Sequence, residues 1–363
     1  MMDTIRRIIV TGDMLRVNHA GSETQSINIR WLYHLIQPAL KMLSNLPVQM
    51  LLHERTRSGL AFEIYRSNAL EPTLENWADL YEREPTARDL AWIQSAFEDA
   101  LVVAFELPEI VRRSLVLLGI PYIDLTVHPA RFLDDIAFGV RSNIKDIGSP
   151  LRPWVLTDPE IRIGAGLAQA TLSRLPLLAG FGNIDNLALF ACQTGDDKVL
   201  IRNRKFMRTE DFLDEFAAMS ARHNRILVKR HPYARGTSAH VALTRLFPNA
   251  VEIDANIYQL LIQPGITHVY SITSSASIEA GYFGKQGKHL APYPYVFSED
   301  RLSDVEYLQI RPAFHLPQFW APLFAQIGID TAPPPPVPST LLPNRMRMSL
   351  RNFWGADIFV RST

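Results

Sequence analysis

The chain has 363 residues, 47% of them hydrophobic and 20% charged, which describes a globular protein long enough for two domains. Lysine plus arginine and aspartate plus glutamate number 37 each, so no global electrostatic field attracts the protein to nucleic acid. Cys192 is the single cysteine, which excludes a disulfide framework and predicts a reducing compartment.

Neither the start of the chain nor its apolar stretches predict a membrane segment. Residues 1–11 carry two arginines and a short apolar run, which cannot form the core of a signal peptide. No stretch approaches the ~20 apolar residues of a membrane-spanning helix. We therefore expect a cytoplasmic protein, at most peripheral to the inner membrane.

In the first half of the chain, strand and helix patterns alternate. Residues 6–13 predict a buried strand that ends in a turn, and residues 27–43 carry apolar side chains at helical spacing. The other segments predict strands at 48–53, 101–108 and 120–128 and helices at 73–104 and 109–118. The strand at 101–108 delivers Glu106 at its end.

After a predicted helix around 156–175, the alternation becomes clearer. The predicted strands are 187–194, 225–229, 251–253, 268–272 and 289–291, and the helices are 209–223, 239–247, 257–262 and 275–283. Alternating strands and helices imply a parallel sheet.

These patterns predict an α/β protein with two Rossmann-like domains that face a central cleft, the GT-B type of architecture. We place the first domain at 1–180 and the second at 181–330. Residues 331–363 are predicted to form a proline-rich connector and a basic helix that packs back on the first domain. The carboxyl ends of the strands would surround the cleft and bind the ligand there.

Two short motifs, each at the end of a predicted strand, point to a phosphorylated ligand such as a nucleotide. Residues 228–232 read Val-Lys-Arg-His-Pro, so Lys229 and His231 stand where proline ends the strand. Ser274 and Ser275 precede a helix, where free N–H groups and serine side chains form an anion site. A lone histidine is usually structural, but the neighbouring cations and the serine pair favour phosphate binding by His231.

Other nucleotide and hydrolase signatures are absent from the sequence. There is no Walker A loop and no Gly-x-Gly-x-x-Gly fingerprint, which argues against an ATPase or a dinucleotide oxidoreductase. There is no Gly-x-Ser-x-Gly elbow either, which argues against a serine hydrolase.

Two carboxylates stand at strand ends, where a parallel sheet presents catalytic groups. Asp197 closes the segment Gln193-Thr-Gly-Asp-Asp, but turns favour aspartate and glycine for local reasons, and position alone favours that explanation. The adjacent Asp196 and Asp197 could hold Mg²⁺ only with further oxygen ligands. Glu106 is either a general acid/base with a raised pKa or a glutamate stabilised by the dipole of the following helix.

The segment 128–141 concentrates one histidine, two arginines and two aspartates between apolar residues. It could line the cleft, with Arg131 binding a carboxylate or hydroxyl groups. The spacing of Arg131 and Asp135 also fits an i,i+4 surface pair on a helix, and spacing alone favours this second interpretation. The role of Asp134 and Asp135 stays open.

Several of these segments resemble motifs of bacterial transferases that use CMP-activated ulosonic and nonulosonic acids. Residues 229–232 are similar to the His-Pro motif, and Ser274-Ser275 to the Ser-Ser motif, of sialyltransferases and of transferases of Kdo (3-deoxy-D-manno-octulosonic acid). The segment 193–197 resembles the Gln-x-x-x-Asp stretch of the β-Kdo glycosyltransferase family, which builds capsule, lipopolysaccharide and O-antigen. Further similar segments are Phe-Glu-Leu-Pro around Glu106, 119–135 and 347–355.

The resemblance implies a retaining glycosyltransferase that moves β-Kdo from CMP-β-Kdo to a bacterial surface polysaccharide or glycolipid by double displacement. It implies an acceptor-side first domain and a nucleotide-sugar-binding second domain. Asp197 would be the nucleophile and Glu106 the acid/base. The implied donor-binding residues are His231, Ser274 and Ser275 for the leaving CMP phosphate, Arg131 for the Kdo carboxylate, and Lys229 and Gln193. No metal or cofactor is implied, because protein groups can hold the single phosphate.

Two other functions stay open on this sequence. The same fold could transfer sialic acid or another nonulosonic acid from its CMP donor with inversion, with Asp197 as general base. It could also be a non-catalytic nucleotide-sugar-binding subunit of a capsule assembly complex. No motif names the acceptor, the linkage or the oligomeric state. The basic tail with Arg345, Arg347 and Arg351 leaves contact with a membrane surface open.

Overall fold

The computed structural model describes residues 5–18, 20–52, 59–175, 184–232, 239–336 and 345–350. Within these residues the strands are β1 (Arg7–Gly12), β2 (Val48–Met50), β3 (Ala100–Phe105), β4 (Tyr122–Val127), β5 (Phe138–Ser142), β6 (Leu187–Ala191), β7 (Ile201–Arg202), β8 (Lys205–Phe206), β9 (Arg225–Lys229), β10 (Ala250–Ile253), β11 (Ile266–Ser271), β12 (Gln286–His289), β13 (Val296–Ser298) and β14 (Glu306–Ile310). The α-helices are α1 (Ser26–Leu43), α2 (Leu60–Ser67), α3 (Leu74–Tyr81), α4 (Ala87–Phe97), α5 (Glu109–Leu117), α6 (Gly148–Leu151), α7 (Asp158–Leu172), α8 (Leu213–Arg222), α9 (Ala239–Leu246), α10 (Ile257–Leu261), α11 (Ser275–Tyr282), α12 (Pro317–Gln326) and α13 (Arg345–Leu350).

The first sheet has seven strands in the order β13-β14-β5-β4-β3-β1-β2. Strands β1 to β4 run parallel, whereas β5 is antiparallel to both β4 and β14. Every residue of β3 and of β4 is buried, as expected for strands that are covered on both faces. Helices α1 and α12 pack on one face, and α2 to α5 pack on the other.

The second sheet has five strands, all parallel, in the order β10-β9-β6-β11-β12. Helices α7, α10 and α11 cover one face, and α8 and α9 cover the other. The predicted α/β class with a parallel sheet is confirmed, while the GT-B arrangement of two domains stays a prediction.

Each sheet has a switch point, where the strand order reverses. In the first sheet the chain adds β2 on one side of β1 and β3 on the other, so the switch point lies between β1 and β3. In the second sheet the same argument places it between β6 and β11. Open α/β sheets bind ligands at the carboxyl ends of the strands beside such points. We therefore expect a ligand site in the chain segments that follow these four strands.

The chain returns to the first sheet earlier than the sequence indicated. Strands β13 and β14 belong to the first sheet, so the predicted second domain at 181–330 is too long. Local patterns missed β13 because it has only three residues, and they missed β14 because it pairs with β5, which begins in the segment 128–141 and was not predicted as a strand either. The crossing segment 290–295 carries Tyr293 and Tyr295 between the two sheets.

The long helix predicted at 73–104 is three elements. Helix α3 ends at Tyr81, and α4 starts after Pro85, where Thr86 and Asp89 form a capping box. The last residues of the predicted helix already belong to β3. The apolar spacing was helical on both sides of the break, so the capping residues, rather than the spacing, mark the division.

The end of the described chain packs against the first sheet's helices. Met346 of α13 lies in the same core as α1 and α12, and Trp31 Nε1 donates a hydrogen bond to Ser349 Oγ at 2.9 Å. Arg347 is buried in α13. Arg351 lies outside the described residues. Among the described helices, none has the length and apolarity that a membrane span requires.

Candidate active site

The carboxyl ends of both sheets meet around Glu106. This residue follows β3 with a left-handed φ of 63°, a costly backbone conformation for a glutamate. Lys198 Nζ, from the turn after β6, lies 2.7 Å from Glu106 Oε2, and Thr126 Oγ1 donates to Glu106 Oε1 at 3.0 Å. One ion pair therefore joins the switch point of the first sheet to the chain that leaves the second.

The charge state of Glu106 differs from the sequence expectation. Burial alone would raise the pKa of its carboxyl, but the Lys198 ammonium and the Thr126 hydroxyl outweigh burial and lower the pKa below its ordinary value. Of the two interpretations that the sequence left open for Glu106, the one with a raised pKa is therefore wrong. Glu106 is ionised at neutral pH, which suits a base and does not suit an acid.

Lys198 was missed by sequence reasoning because nothing in its neighbourhood distinguishes it from a surface lysine. Its side chain is 8% exposed, and its Nζ lies 5.3 Å from the centre of the Tyr295 ring. Although burial opposes the charge, Glu106 raises the pKa of Lys198, so the ammonium stays protonated. The contact with Glu106 could not be predicted from the local sequence, because the two residues follow strands of different sheets.

Asp197 stands directly before Lys198 and caps the short 3-10 helix that begins there. Val199 N donates to Asp197 Oδ1 at 3.3 Å. The carboxylate is half-buried, and its negative charge acts on His231, Tyr293 and Tyr295. Glu106 acts on the same two tyrosines, so the two predicted catalytic carboxylates face a common group of side chains.

Gln193 connects the switch point of the second sheet across its two strands. Its Nε2 donates to Thr273 Oγ1 at 3.2 Å, and Thr273 N donates to its Oε1 at 2.8 Å. Thr273 Oγ1 in turn donates to Val199 O at 3.0 Å. The Gln193 amide thus holds the turn before Ser274 in place, and direct donor contact by Gln193 stays a prediction.

The Ser274-Ser275 turn opens α11 at the carboxyl end of β11. Ser274 Oγ accepts from Ala276 N at 3.3 Å and caps the helix. Within the described residues, the Ser275 hydroxyl and N–H form no hydrogen bond, so both are available to an anion. His289 contacts Ser274 O at 2.9 Å and stacks on Tyr293 with the ring centres 5.3 Å apart.

Lys229 is the last residue of β9, and His231 follows the strand beside the turn that carries Asp197. Burial and Lys229 lower the pKa of His231, and the carboxylates of Asp197 and Asp196 oppose that shift. Burial also lowers the pKa of Lys229, opposed by Asp254. His231 is therefore neutral at physiological pH in the ligand-free protein, and an arriving phosphate would favour its protonation.

Arg131 interacts electrostatically with Tyr293, Glu279 and Glu106 and does not form the surface pair that its spacing favoured. Residues 131–135 form turns and bends, and Asp135 Oδ2 and Oδ1 accept the N–H groups of Met346 and Arg347 at 3.2 and 3.0 Å. The surface-helix interpretation of Arg131 and Asp135 is therefore wrong. Burial lowers the pKa of Arg131, while Tyr293, Glu279 and Glu106 oppose this shift. Asp134 is exposed.

Glu279 is a second residue that sequence reasoning missed. It lies on α11 and is 3% exposed. Its Oε1 accepts from Arg131 N at 2.8 Å and from Tyr258 Oη at 2.7 Å. Burial raises the pKa of Glu279 to about 7 despite these bonds and the nearby Arg131 and Arg347. This carboxyl fixes the backbone of the loop that carries Arg131.

Asp13 is a further carboxyl of the site that the sequence did not single out. It follows β1 directly, as Glu106 follows β3, and the last paired residues of these strands are Gly12 and Phe105. The signal used for Glu106, a carboxylate after an apolar strand, was present here too. Arg16, three residues on, donates from Nη2 to Asp196 O at 2.8 Å and so links the β1 loop to the Asp197 turn.

A cavity of about 540 Å³ adjoins this group of residues at Tyr293 and Val199. Its walls include Glu82, Arg113 and Arg202, and neither Glu106 nor Asp197 lines it. Burial raises the pKa of Tyr293 to about 12, so its phenol stays neutral between the cavity and the carboxylates. Within the described ranges, no group of three or more His, Cys, Asp or Glu side chains has the geometry of a metal site.

Comparison with known proteins gives no close relative. No family model matches the sequence, and no curated protein matches it. Among solved structures, the chain is similar to Thermosulfurimonas dismutans KpsC, beta Kdo 2,7 transferase, at 11% identity and a TM-score of 0.38, over 77% of each chain. It is also similar to Thermosulfurimonas dismutans KpsC, beta Kdo 2,4 transferase, at 14% identity and a TM-score of 0.37, over 88% of this chain and 90% of that one. TM-scores this low establish neither a common fold nor a shared activity.

Proposed function

We propose that this protein is a retaining glycosyltransferase that moves β-Kdo from CMP-β-Kdo to a saccharide or glycolipid acceptor. The observation that carries the proposal is the Lys198–Glu106 ion pair of 2.7 Å. It brings a carboxylate of the first sheet to the residue next to Asp197, beside a helix start that suits a phosphate. The His-Pro and Ser-Ser motifs, which resemble those of CMP-ulosonic acid transferases, support the choice of donor.

In the first step Asp197 attacks the anomeric carbon of Kdo. A bond forms between the carboxylate oxygen and that carbon, and the bond to the CMP phosphate breaks with its electron pair. The departing phosphate is already a stable anion and needs no proton from an acid. The Ser275 N–H and hydroxyl and the His231 ring are the groups that would hold its charge.

In the second step the ionised Glu106 acts as the base. It takes the proton of an acceptor hydroxyl while that oxygen attacks the anomeric carbon and Asp197 leaves as a carboxylate. Two inversions give net retention. The lowered pKa of Glu106 supports this role, because the carboxylate is ready to accept a proton at neutral pH.

We assign Arg131 to the Kdo carboxylate and the cavity beside Tyr293 to the acceptor. Arg131 is a buried cation whose charge acts on Glu106 and Tyr293, so it lies on the side of the cleft where the sugar would be placed. The cavity offers charged and amide groups together with the flat faces of Pro292 and Tyr293, a lining that suits sugar hydroxyls and ring faces.

The test is turnover of CMP-Kdo by purified protein. CMP release should occur with a panel of bacterial surface oligosaccharides, and Asp197→Ala should lower it by about a thousandfold or more. Asp185→Ala is the matched control, since Asp185 is exposed just before β6 and its backbone carbonyl, which accepts from Asn224, is kept in the variant. Wild-type turnover by Asp197→Ala would refute the nucleophile assignment.

Intact-mass measurement separates the proposal from its alternatives. A Kdo adduct on Glu106→Gln protein that disappears in the Asp197→Ala variant supports double displacement. Transfer without any adduct would support an inverting enzyme with Asp197 as base, and CMP-sialic acid would then be the second donor to try. Thermal stabilisation by CMP with no consumption of either donor would support a non-catalytic binding subunit.

A further inference from the structure

Asp13 is a buried carboxyl with an unused oxygen at the switch point of the first sheet. The residue is 3% exposed. Its Oδ1 accepts the N–H groups of Leu15 and Arg16 at 3.2 and 3.1 Å. Its Oδ2 is buried and accepts no hydrogen bond from the part of the chain that the structure describes. A buried carboxylate oxygen without a partner is costly, so the geometry favours a proton on Asp13.

The groups that interact electrostatically with Asp13 come from five parts of the described chain. They are Arg16 on its own loop, Lys198 after β6, Glu106 after β3, Tyr65 on α2 and Tyr81 on α3. Burial raises the pKa of Asp13 to about 7, with Arg16 and Lys198 opposing the shift and Glu106 adding to it. Both tyrosines stay neutral, because burial raises their pKa further.

We propose that Asp13 is a positioning residue whose ionisation sets the basicity of Glu106. While Asp13 is neutral, Glu106 is the only one of these two carboxyl groups that is charged. The Lys198 ammonium then lowers the proton affinity of Glu106, which is therefore a weak base. Once Asp13 loses its proton, a second negative charge faces Lys198 and Glu106. Like charge raises the affinity of Glu106 for a proton, so it becomes a stronger base toward an acceptor hydroxyl.

Burying the Asp13 carboxyl costs free energy of folding, which supports a functional role for this residue. An asparagine would fill the same space and accept the same two backbone N–H groups without an ionisable charge. Residues that destabilise a fold are concentrated where function requires them. The effect on turnover rests on the proposed function, whereas the titration of Asp13 does not.

The experiment uses Asp13→Asn in the full-length protein and compares the pH dependence of transfer from CMP-Kdo. Wild-type kcat/KM should increase as the pH rises through about 7. Asp13→Asn should not show this increase, and its kcat/KM should be about three- to tenfold lower than that of the wild type at alkaline pH. Asp99→Asn is the control, because Asp99 is an exposed carboxyl at the opposite end of β3 from Glu106 and its removal should leave the rise in place. An unchanged profile in Asp13→Asn overturns the proposal.

A second measurement needs no activity. The folded-state pKa of Asp13 is raised, so its ionisation weakens the fold as pH increases from the unfolded value of 3.8 to about 7. Asp13→Asn should therefore have a higher Tm than the wild type, with a gain that grows over this range and is constant above it. A gain that is independent of pH would overturn the proposal. If CMP-Kdo is never consumed but this gain is seen, the proposed function fails while the assignment of the titrating group stands.

Discussion

Lys198 controls the charge of Glu106 at a position largely shielded from solvent. The pair is useful because a base that is partly buried would otherwise pick up a proton. Sequence patterns placed Glu106 at the right strand end, since an apolar run before a proline is a local signal. They could not give its proton state, because the lysine lies 92 residues away (198 − 106) on a chain segment that leaves the other sheet.

At this scale we predict that Lys198→Met leaves Glu106 protonated at neutral pH, so that it cannot act as a base there. Without the ammonium, burial dominates and the pKa of Glu106 rises, so transfer at neutral pH should fall and its pH profile should move to higher pH. In the wild type, the lowered pKa of Glu106 stabilises the fold at pH values above the ordinary carboxyl pKa. This stabilisation is lost as the pH falls through the lowered pKa. Loss of the buried pair should cost about 3 kcal/mol at neutral pH. Unfolding and pH–rate measurements check both effects.

The exposed Lys205, on the β7–β8 hairpin, provides the matched control for this substitution. Lys205→Met removes the same charge and should change neither the pH profile nor the stability measurably. An identical pH profile for wild type and Lys198→Met would mean that the ion pair does not set the charge of Glu106.

The two adjacent serines at the start of helix α11 have different roles. Ser274 satisfies the helix end through Ala276 N, whereas the hydroxyl and N–H of Ser275 form no hydrogen bond with the described residues. Sequence patterns predicted this element, because a strand, hydroxyl residues and a helix follow each other locally. It failed for β5, β13 and β14, whose identity depends on pairing across distant parts of the chain.

At the scale of this helix, the two serines should respond differently to alanine. Ser274→Ala removes the cap and should lower the free energy of unfolding by about 1 kcal/mol. Ser275→Ala should leave stability unchanged and weaken CMP binding about tenfold, since a hydrogen bond to a charged phosphate is lost. Each variant controls for the other in thermal unfolding and calorimetric titration. Equal CMP affinity in Ser275→Ala and wild type would contradict a phosphate site at this turn.

Across the whole molecule, contacts between the two sheets assemble the site from both. Arg16 reaches the Asp197 turn, Lys198 reaches Glu106, and Arg131 N reaches Glu279. The sequence predicted a cleft between two α/β units, because strand ends that carry polar residues indicate one. It placed the return to the first sheet after residue 330, so it did not foresee that 290–295 would bring Tyr293 and Tyr295 into the cleft.

A nucleotide in this cleft should stabilise the whole protein. At a hundred times its Kd, CMP should add about 2.7 kcal/mol to the free energy of unfolding and raise the Tm accordingly. His231→Ala should reduce the gain at a fixed CMP concentration. Cytidine lacks the phosphate and is the control ligand. If cytidine raised the Tm as much as CMP does, these residues would not bind the phosphate.

The pairing of β14 with β5 has a consequence for biosynthesis. Leu308 pairs with Val140, so 168 residues (308 − 140) separate the two partners along the chain. At the usual speed of translation, about 10 to 30 s pass before the late strand can reach the early one. During that time the edge of β5 is an open template for other chains. A nascent chain of this protein should therefore depend on chaperones until its last strands emerge, and premature termination before β13 should yield an aggregating product.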